Sequence, residues 1–197
     1  MEIKEPAPKY YPKMSPSAFL QWERTQDYKH EYVNGDIIAM AGASANHNTL
    51  LANIIGSIQP FLKGKSCRIY PSDLRIFVKS KESFFYPDAT IVCDELEMTD
   101  EFDSVKDTVK NPSVIFERLS PSTENYDLGK KFFFYMQIES LKEYIIIDST
   151  QMHIRIGRRQ PDNSWKYEEV SDKNDQLNIQ TIQQQILLND IYDGIKF

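Results

Sequence analysis

No apolar run in this sequence approaches the roughly 20 residues a helix needs to span a bilayer, so no membrane-crossing segment is expected. A secretory signal is missing too. Residues 1–13 hold Glu, Lys and three prolines (Pro6, Pro8, Pro12) but no hydrophobic stretch, which makes the cytoplasm the expected compartment. Cysteine is scarce. Cys67 and Cys93 both sit in apolar, strand-like runs; they are too few for a disulfide framework or a zinc site and are expected to be buried, reduced thiols. The chain has no internal repeat, no low-complexity segment and no recognisable separate specificity domain. It also lacks a basic excess: 29 acidic residues stand against 23 Lys and Arg, a formal net charge of -6. That weighs against phosphate binding, which usually leaves a basic footprint. Much of the acid is local, however. Residues 94–107 contain Asp94, Glu95, Glu97, Asp100, Glu101, Asp103 and Asp107 against Lys106, a pattern expected of a solvated loop, and the remainder is nearly balanced.

What is present fits a globular chain. At 197 residues, 41% hydrophobic and 26% charged, one domain over residues 14–197 is expected after an arm at 1–13, itself either ordered or a loose tail. Ser15 followed by Pro16 is a helix start, and Phe19, Leu20 and Trp22 give that helix an apolar face. Asn34-Gly35 between Glu31-Tyr32-Val33 and Ile37-Ile38-Ala39 predicts a hairpin over residues 29–40. A small-residue loop at 42–46 leads to a second helix over 47–62, where Leu50, Leu51, Ile54, Ile55, Ile58 and Phe61 recur at helical spacing. Strands are expected at 67–70 with 74–79, at 84–93, at 114–120, and then at 144–148, 152–158 and 165–170. A third helix over 124–138, capped by Ser122 or Thr123, separates the two groups, and a short helical stretch at 187–192 closes the chain. The order gives an α/β (α+β) fold, a central mixed β-sheet flanked by α-helices.

Two carboxylates stand out. Along the 114–119 strand, Ile115, Glu117 and Leu119 share one face while Val114, Phe116 and Arg118 share the other, so Glu117 lies among apolar neighbours and needs a cation, a metal or strong donors. Asp88 ends Tyr86-Pro87-Asp88 in an otherwise nearly uncharged run, and Pro87, having no N–H, marks an edge or a bend. Two acids on neighbouring strands suit a hard cation such as Mg²⁺. The plainer alternative makes Asp88 a turn cap and pairs Glu117 with an arginine such as Arg75. On a wheel of about 100° per residue, the apolar arc of the third helix holds Leu128, Phe132, Phe134, Tyr135 and Ile138. Lys131 falls inside it, between Asp127 and Tyr135, with Lys130 at its edge. A lysine aimed at a core needs an anion there, unless it snorkels across apolar surface. Glu31, His47, Asp73 and Tyr135 are accessory candidates: Glu31 as a further contact to metal or water, His47 equally as a helix cap or surface group, Asp73 equally as a turn residue. His30 and His153 are background.

Read in order, Met14-Ser15-Pro16, Tyr28-Lys29-His30-Glu31-Tyr32-Val33-Asn34-Gly35, Asn46-His47-Asn48, Pro71-Ser72-Asp73, Tyr86-Pro87-Asp88, Glu117-Arg118-Leu119-Ser120-Pro121-Ser122-Thr123, and Lys131 with Tyr135 form a specific set of motifs. Over residues 14–192 the chain resembles the bacterial Uma-type restriction endonucleases, common in cyanobacteria, within the PD-(D/E)XK nuclease superfamily. The resemblance implies a restriction-endonuclease-like core with a magnesium site at one end of the sheet, and Asp88 and Glu117 as metal ligands. The superfamily lysine lies two residues after the second acid. That position is Leu119 here, so a lysine recruited from the following helix is implied, which points to Lys131.

The expected function is therefore a Mg²⁺-dependent DNA endonuclease, with Mn²⁺ as an alternative ion, hydrolysing phosphodiester bonds by a metal-activated water with Asp88, Glu117 and Lys131 as catalytic residues. RNA or branched DNA are alternative substrates. The rival reading is a catalytically inactive protein that binds nucleic acid or a partner on the same fold. Enzymes that cut both strands are commonly homodimers, and a homodimer is an open expectation.

Overall fold

The structure, a computed structural model, describes residues 11–40, 42, 44–119 and 126–197, with backbone alone at 126–128. The residues 1–10 of the arm, part of the 42–46 loop, and the Ser120-Pro121-Ser122-Thr123 motif with its cap lie outside the described residues.

Ser15 accepts a hydrogen bond from the Ala18 N–H, and Pro16 opens helix α1 (Pro16–Glu23). The hairpin follows as β1 (His30–Val33) and β2 (Asp36–Ala39), turned by Asn34 (φ 50°) and Gly35 (φ 95°), the two left-handed positions of a type I′ turn. Ser44 caps α2 (Ala45–Leu62) by accepting from the His47 N–H, so this helix starts two residues earlier than its apolar stripe predicts. Then come β3 (Arg68–Pro71), β4 (Arg75–Val78), a 3₁₀ turn at Lys79–Lys81, β5 (Ser83–Phe85), β6 (Ala89–Val92), β7 (Thr108–Val109) and β8 (Val114–Leu119). A π-helical turn (Tyr126–Lys131) runs into α3 (Phe132–Tyr135). The chain finishes with β9 (Glu143–Asp148), β10 (Ile154–Arg159), β11 (Trp165–Val170), β12 (Gln176–Ile179), β13 (Gln184–Leu187) and α4 (Leu188–Ile191).

The fold is mixed α+β, but the strands divide between sheets. The central one has six strands in the order β11-β10-β9-β8-β6-β3, antiparallel except for the parallel β8–β9 pair. A second has the order β2-β1-β5-β4-β7, and β12–β13 form a separate hairpin. The run at 84–93, which reads as one strand, is cut in two. β5 belongs to the second sheet and β6 to the central one. Pro87 cannot extend a ladder, and the chain changes sheets at Tyr86-Pro87-Asp88. Pro87 thus marks a bend; β6 itself is interior, between β8 and β3.

Both faces of the central sheet are covered. Ala89, Ile91, Val114, Phe116, Ile145 and Ile147 pack on the α2 stripe of Leu50, Ile54, Ile58 and Leu62. The opposite face, with Val92, Ile115, Leu119, Tyr144 and Ile146, packs on Phe132, Phe134 and Tyr135 and on Ile76, Val78 and Phe85 of the second sheet. Burial on both sides explains why β9 reads as an unbroken apolar run. A third, aromatic cluster of Phe19, Tyr32, Phe77 and Phe84 fixes α1 to the outer face of the second sheet.

Three expectations are corrected here. Cys67 and Cys93 form a disulfide rather than standing as free thiols. Arg68 pairs with Val92, so the antiparallel β3–β6 register sets the two cysteines opposite each other, and a pairing between strands distant in sequence cannot be read from spacing. The third helix is not a regular α-helix over 124–138: its described part is a π turn followed by one α turn. The acidic stretch is not only a solvated loop. Asp103 and Asp107 clamp the Arg24 guanidinium at 2.8 Å each, and Asp107 also meets the buried Arg75 at 2.6 Å. Arg75 is further satisfied by Tyr86 and Thr108, so Glu117 is not its partner.

This clamp has a pH signature. The hydrogen bond from Arg24 holds the Asp103 carboxyl below its ordinary 3.8; burial pushes Asp107 up, but Arg24 and Arg75 more than reverse it. Lowered carboxylates stabilise the fold fully above their unfolded value, and the contribution drains away as pH falls below it. Arg24→Ala is expected to cost up to about 1 kcal/mol at neutral pH and to flatten the loss of urea midpoint on acidification below 3.8. Parallel acid profiles for variant and native chain would contradict this.

Candidate active site

Three elements bring charge to one buried point. Glu31 comes from β1 in the second sheet, Glu117 from β8 in the central sheet, and Lys131 from the last residue of the π turn between them. The Lys131 ammonium lies 2.7 Å from Glu31 Oε1 and 2.8 Å from Glu117 Oε1, and all three side chains are about 95% buried. Such burial is tolerable only with close counter-charges. Lys130, one residue earlier, is exposed. The wheel therefore separates the two lysines correctly even though the turn is π, because the apolar residues after it fix which side faces inward.

Tyr135 donates its hydroxyl to Glu117 Oε1 at 2.9 Å. Burial, then the charges of Glu117 and Glu31, push the phenol well above its ordinary range, so it keeps its proton and remains a donor. Phe85 packs against the Tyr135 ring at 5.2 Å and holds it in that pose.

Asp88 stands at the sheet crossing. Ala89 pairs with Phe116, so continuing the register by one sets Asp88 opposite Glu117. Asp88 Oδ2 accepts the Arg118 N–H at 2.6 Å, and Oδ1 lies 2.7 Å from His47 Nε2. Burial alone would raise the Asp88 carboxyl. The hydrogen bond and field of His47, the Arg118 N–H and the charge of Lys131 outweigh it and hold the group below 3.8, ionised at neutral pH. The influence of Lys131 on Asp88 ties the two halves of the site together.

Of the accessory candidates, Glu31 and Tyr135 lie in this cluster and His47 borders it through Asp88. Asp73 does not: it is exposed and pairs with Lys29 at 2.5 Å in a turn. Leu119 is buried in the core below Glu117. The role of the Arg118 N–H is not legible in the sequence, since a backbone donor leaves no mark in side-chain pattern. His30 also proves to be more than background, held between Glu23 and the Tyr11 hydroxyl at 3.0 and 2.9 Å, a structural tie for the described end of the arm.

Among the described residues, three carboxylates, Asp88, Glu31 and Glu117, gather around the Lys131 ammonium, with His47 at the rim. Hard carboxylate oxygens are the donors that Mg²⁺ prefers. Among the described residues no group of three or more His, Cys, Asp and Glu is arranged to hold a metal ion by itself. Mg²⁺ does not need one, since it is usually held by one or two carboxylates with water and phosphate completing its shell.

Comparison with known proteins agrees with this architecture. The solved structure of a protein from Anabaena variabilis ATCC 29413, titled a "putative nuclease belonging to DUF820", superposes with a TM-score of 0.77 at 14% identity, covering 93% of this chain and 99% of that one. At that identity the likeness speaks for the fold. Two proteins of Synechocystis sp. (strain ATCC 27184 / PCC 6803 / Kazusa) are similar in sequence. The uncharacterized protein slr1290 is 33% identical over 188 residues, 95% of each chain, and the uncharacterized protein sll1609 is 34% identical over 164 residues, 83% of this chain and 91% of that one. The family described as "Uma2: Putative restriction endonuclease" matches residues 16–189. Nearly the whole length is matched, and the chain belongs to the Uma2 family of restriction-endonuclease-like proteins.

Proposed function

We propose that this protein is a divalent-metal-dependent DNA endonuclease, with Mg²⁺ as its ion and Mn²⁺ as a substitute. The observation that carries the reading is the buried Glu31–Lys131–Glu117 cluster beside Asp88, a constellation far more costly than a core needs for packing. Asp88 and Glu117 would hold the ion. Bound there, it would polarise the scissile phosphate and lower the pKa of a water.

The chain's own groups divide the remaining work. Arg118 N–H and His47 fix the Asp88 carboxylate in one orientation. Tyr135 and Lys131 do the same for Glu117 Oε1. Lys131, charged between two carboxylates, orients an attacking water or meets the negative charge that grows on the phosphoryl oxygens. Glu31 holds Lys131 in place and balances its charge. Action on cellular DNA puts the protein in the cytoplasm. Among the described residues no helix is long and apolar enough to cross a membrane.

The test is plasmid cleavage by the full chain. Nicking or linearisation is expected with Mg²⁺ or Mn²⁺ and none with excess chelator. Cleavage unaffected by chelation would remove the metal from the reading. DNA bound but left intact under every divalent ion would favour the inactive binding protein.

A further inference from the structure

Beside the buried cluster lies a groove of about 620 Å³ that the chemistry above does not use. Its walls are Lys79, Ser80, Lys81, Glu82, Phe133 and Phe134. Phe134 is buried and packs on Phe85, which in turn packs on Tyr135. Phe133, two residues after Lys131, does the opposite. It is 53% exposed, and the Lys81 ammonium lies 5.1 Å from its ring. Asn34, at the β1–β2 turn, lines the side toward Glu31, three residues back along the chain and so about 10 Å away. The groove thus opens within one or two nucleotides' reach of the proposed cleavage point.

We infer that this groove receives an unpaired DNA strand, with one base stacked on Phe133 and its flanking phosphates on Lys79, Lys81 and Lys130. The inference rests on the nuclease reading and narrows its substrate class. An exposed phenyl ring offers nothing to a phosphate or to the outside of a smooth duplex, whose bases are stacked on one another. It offers a sequence-tolerant platform to a base that is not. Lys79 and Lys81 in the wall, with exposed Lys130 three residues before Phe133, stand against Glu82 and Glu101, a local excess of one positive charge in a chain of net charge -6. Lys79 is held by Glu101, but the lysine side chain is 77% exposed, and a pair so wet exchanges readily for a phosphate. The substrates are DNAs with a single-stranded stretch, such as a flap, gap or junction arm.

The experiment is fluorescence anisotropy with the full chain in chelator, so that nothing is cut. The probes are a short labelled single strand of mixed sequence and the blunt duplex of the same sequence. The native chain is expected to bind the single strand about ten times more tightly. Phe133→Ala should lower single-strand affinity by roughly 5- to 100-fold, leave the duplex and the melting temperature unchanged, and be rescued by Phe133→Trp. Lys81→Ala should reduce the salt slope by about 0.7. A native preference for duplex, or a Phe133→Ala chain that binds single strands normally, overturns the inference. The two readings fail separately: binding that depends on Phe133 without any Mg²⁺-dependent cleavage would uphold the platform and sink the nuclease.

Discussion

Lys131→Met is expected to remove cleavage and to cost about 3–5 kcal/mol of stability, the usual result of stripping the cation from buried carboxylates. Methionine matches the length of the lysine stem and fills the same volume, so the loss is electrostatic. Glu31 and Glu117, both about 95% buried, would face each other across the vacated position. In a chain of 197 residues, this corresponds to a melting temperature lower by about 6–20 °C. Lys130→Met supplies the control. Its side chain is exposed, and the variant's stability should stay within about 0.5 kcal/mol of the native chain's. Adding Glu31→Gln to Lys131→Met should restore part of the loss, because it neutralises one of the two stranded charges. Equal melting of the Lys131 and Lys130 variants would show that the cluster is not energetically coupled.

Asp88→Asn and Glu117→Gln should cost less stability than Lys131→Met. Asp88 is held below 3.8, so the fold favours its carboxylate over a neutral group, and an Asn at 88, though it can still accept the Arg118 N–H, should lower the melting temperature of the metal-free chain. With a Gln at 117, Lys131 keeps Glu31 and Tyr135 keeps an acceptor, so that variant should stay closer to the native temperature. Cleavage, by contrast, should fall by at least about 1,000-fold, since each change removes a charged oxygen ligand from the proposed ion. The native chain should also gain about 2.7 kcal/mol from Mg²⁺ at a hundredfold excess over its Kd, a rise of about 5–10 °C that both variants forfeit. Variants that cut normally and keep the Mg²⁺ shift would defeat the assignment of these two acids.

Much of the fold was legible because local rules governed it. Ser15-Pro16 and Asn34-Gly35 have few alternatives in a folded chain, and both formed the helix start and the hairpin they predict. Strands β9 to β11 followed their apolar runs to within two residues. The Phe84–Cys93 stretch did not, because nothing local says that two halves of one apolar run join different sheets. The β12–β13 hairpin was missed for a related reason: Gln176, Gln184 and Gln185 dilute the alternation, and its burial comes from packing against α2.

For the site, residue type and periodicity alone marked Asp88, Glu117 and Lys131 as costly wherever they were buried, and so as residues needing a reason. That follows from desolvation, which depends on the side chain and its apolar surroundings and can be read from the chain. Who partners whom was decided only in three dimensions. Glu31 meets Lys131, His47 meets Asp88, Asp73 drops out to a surface turn, and two cysteines become neighbours, because sheet order and register join strands that lie far apart in sequence.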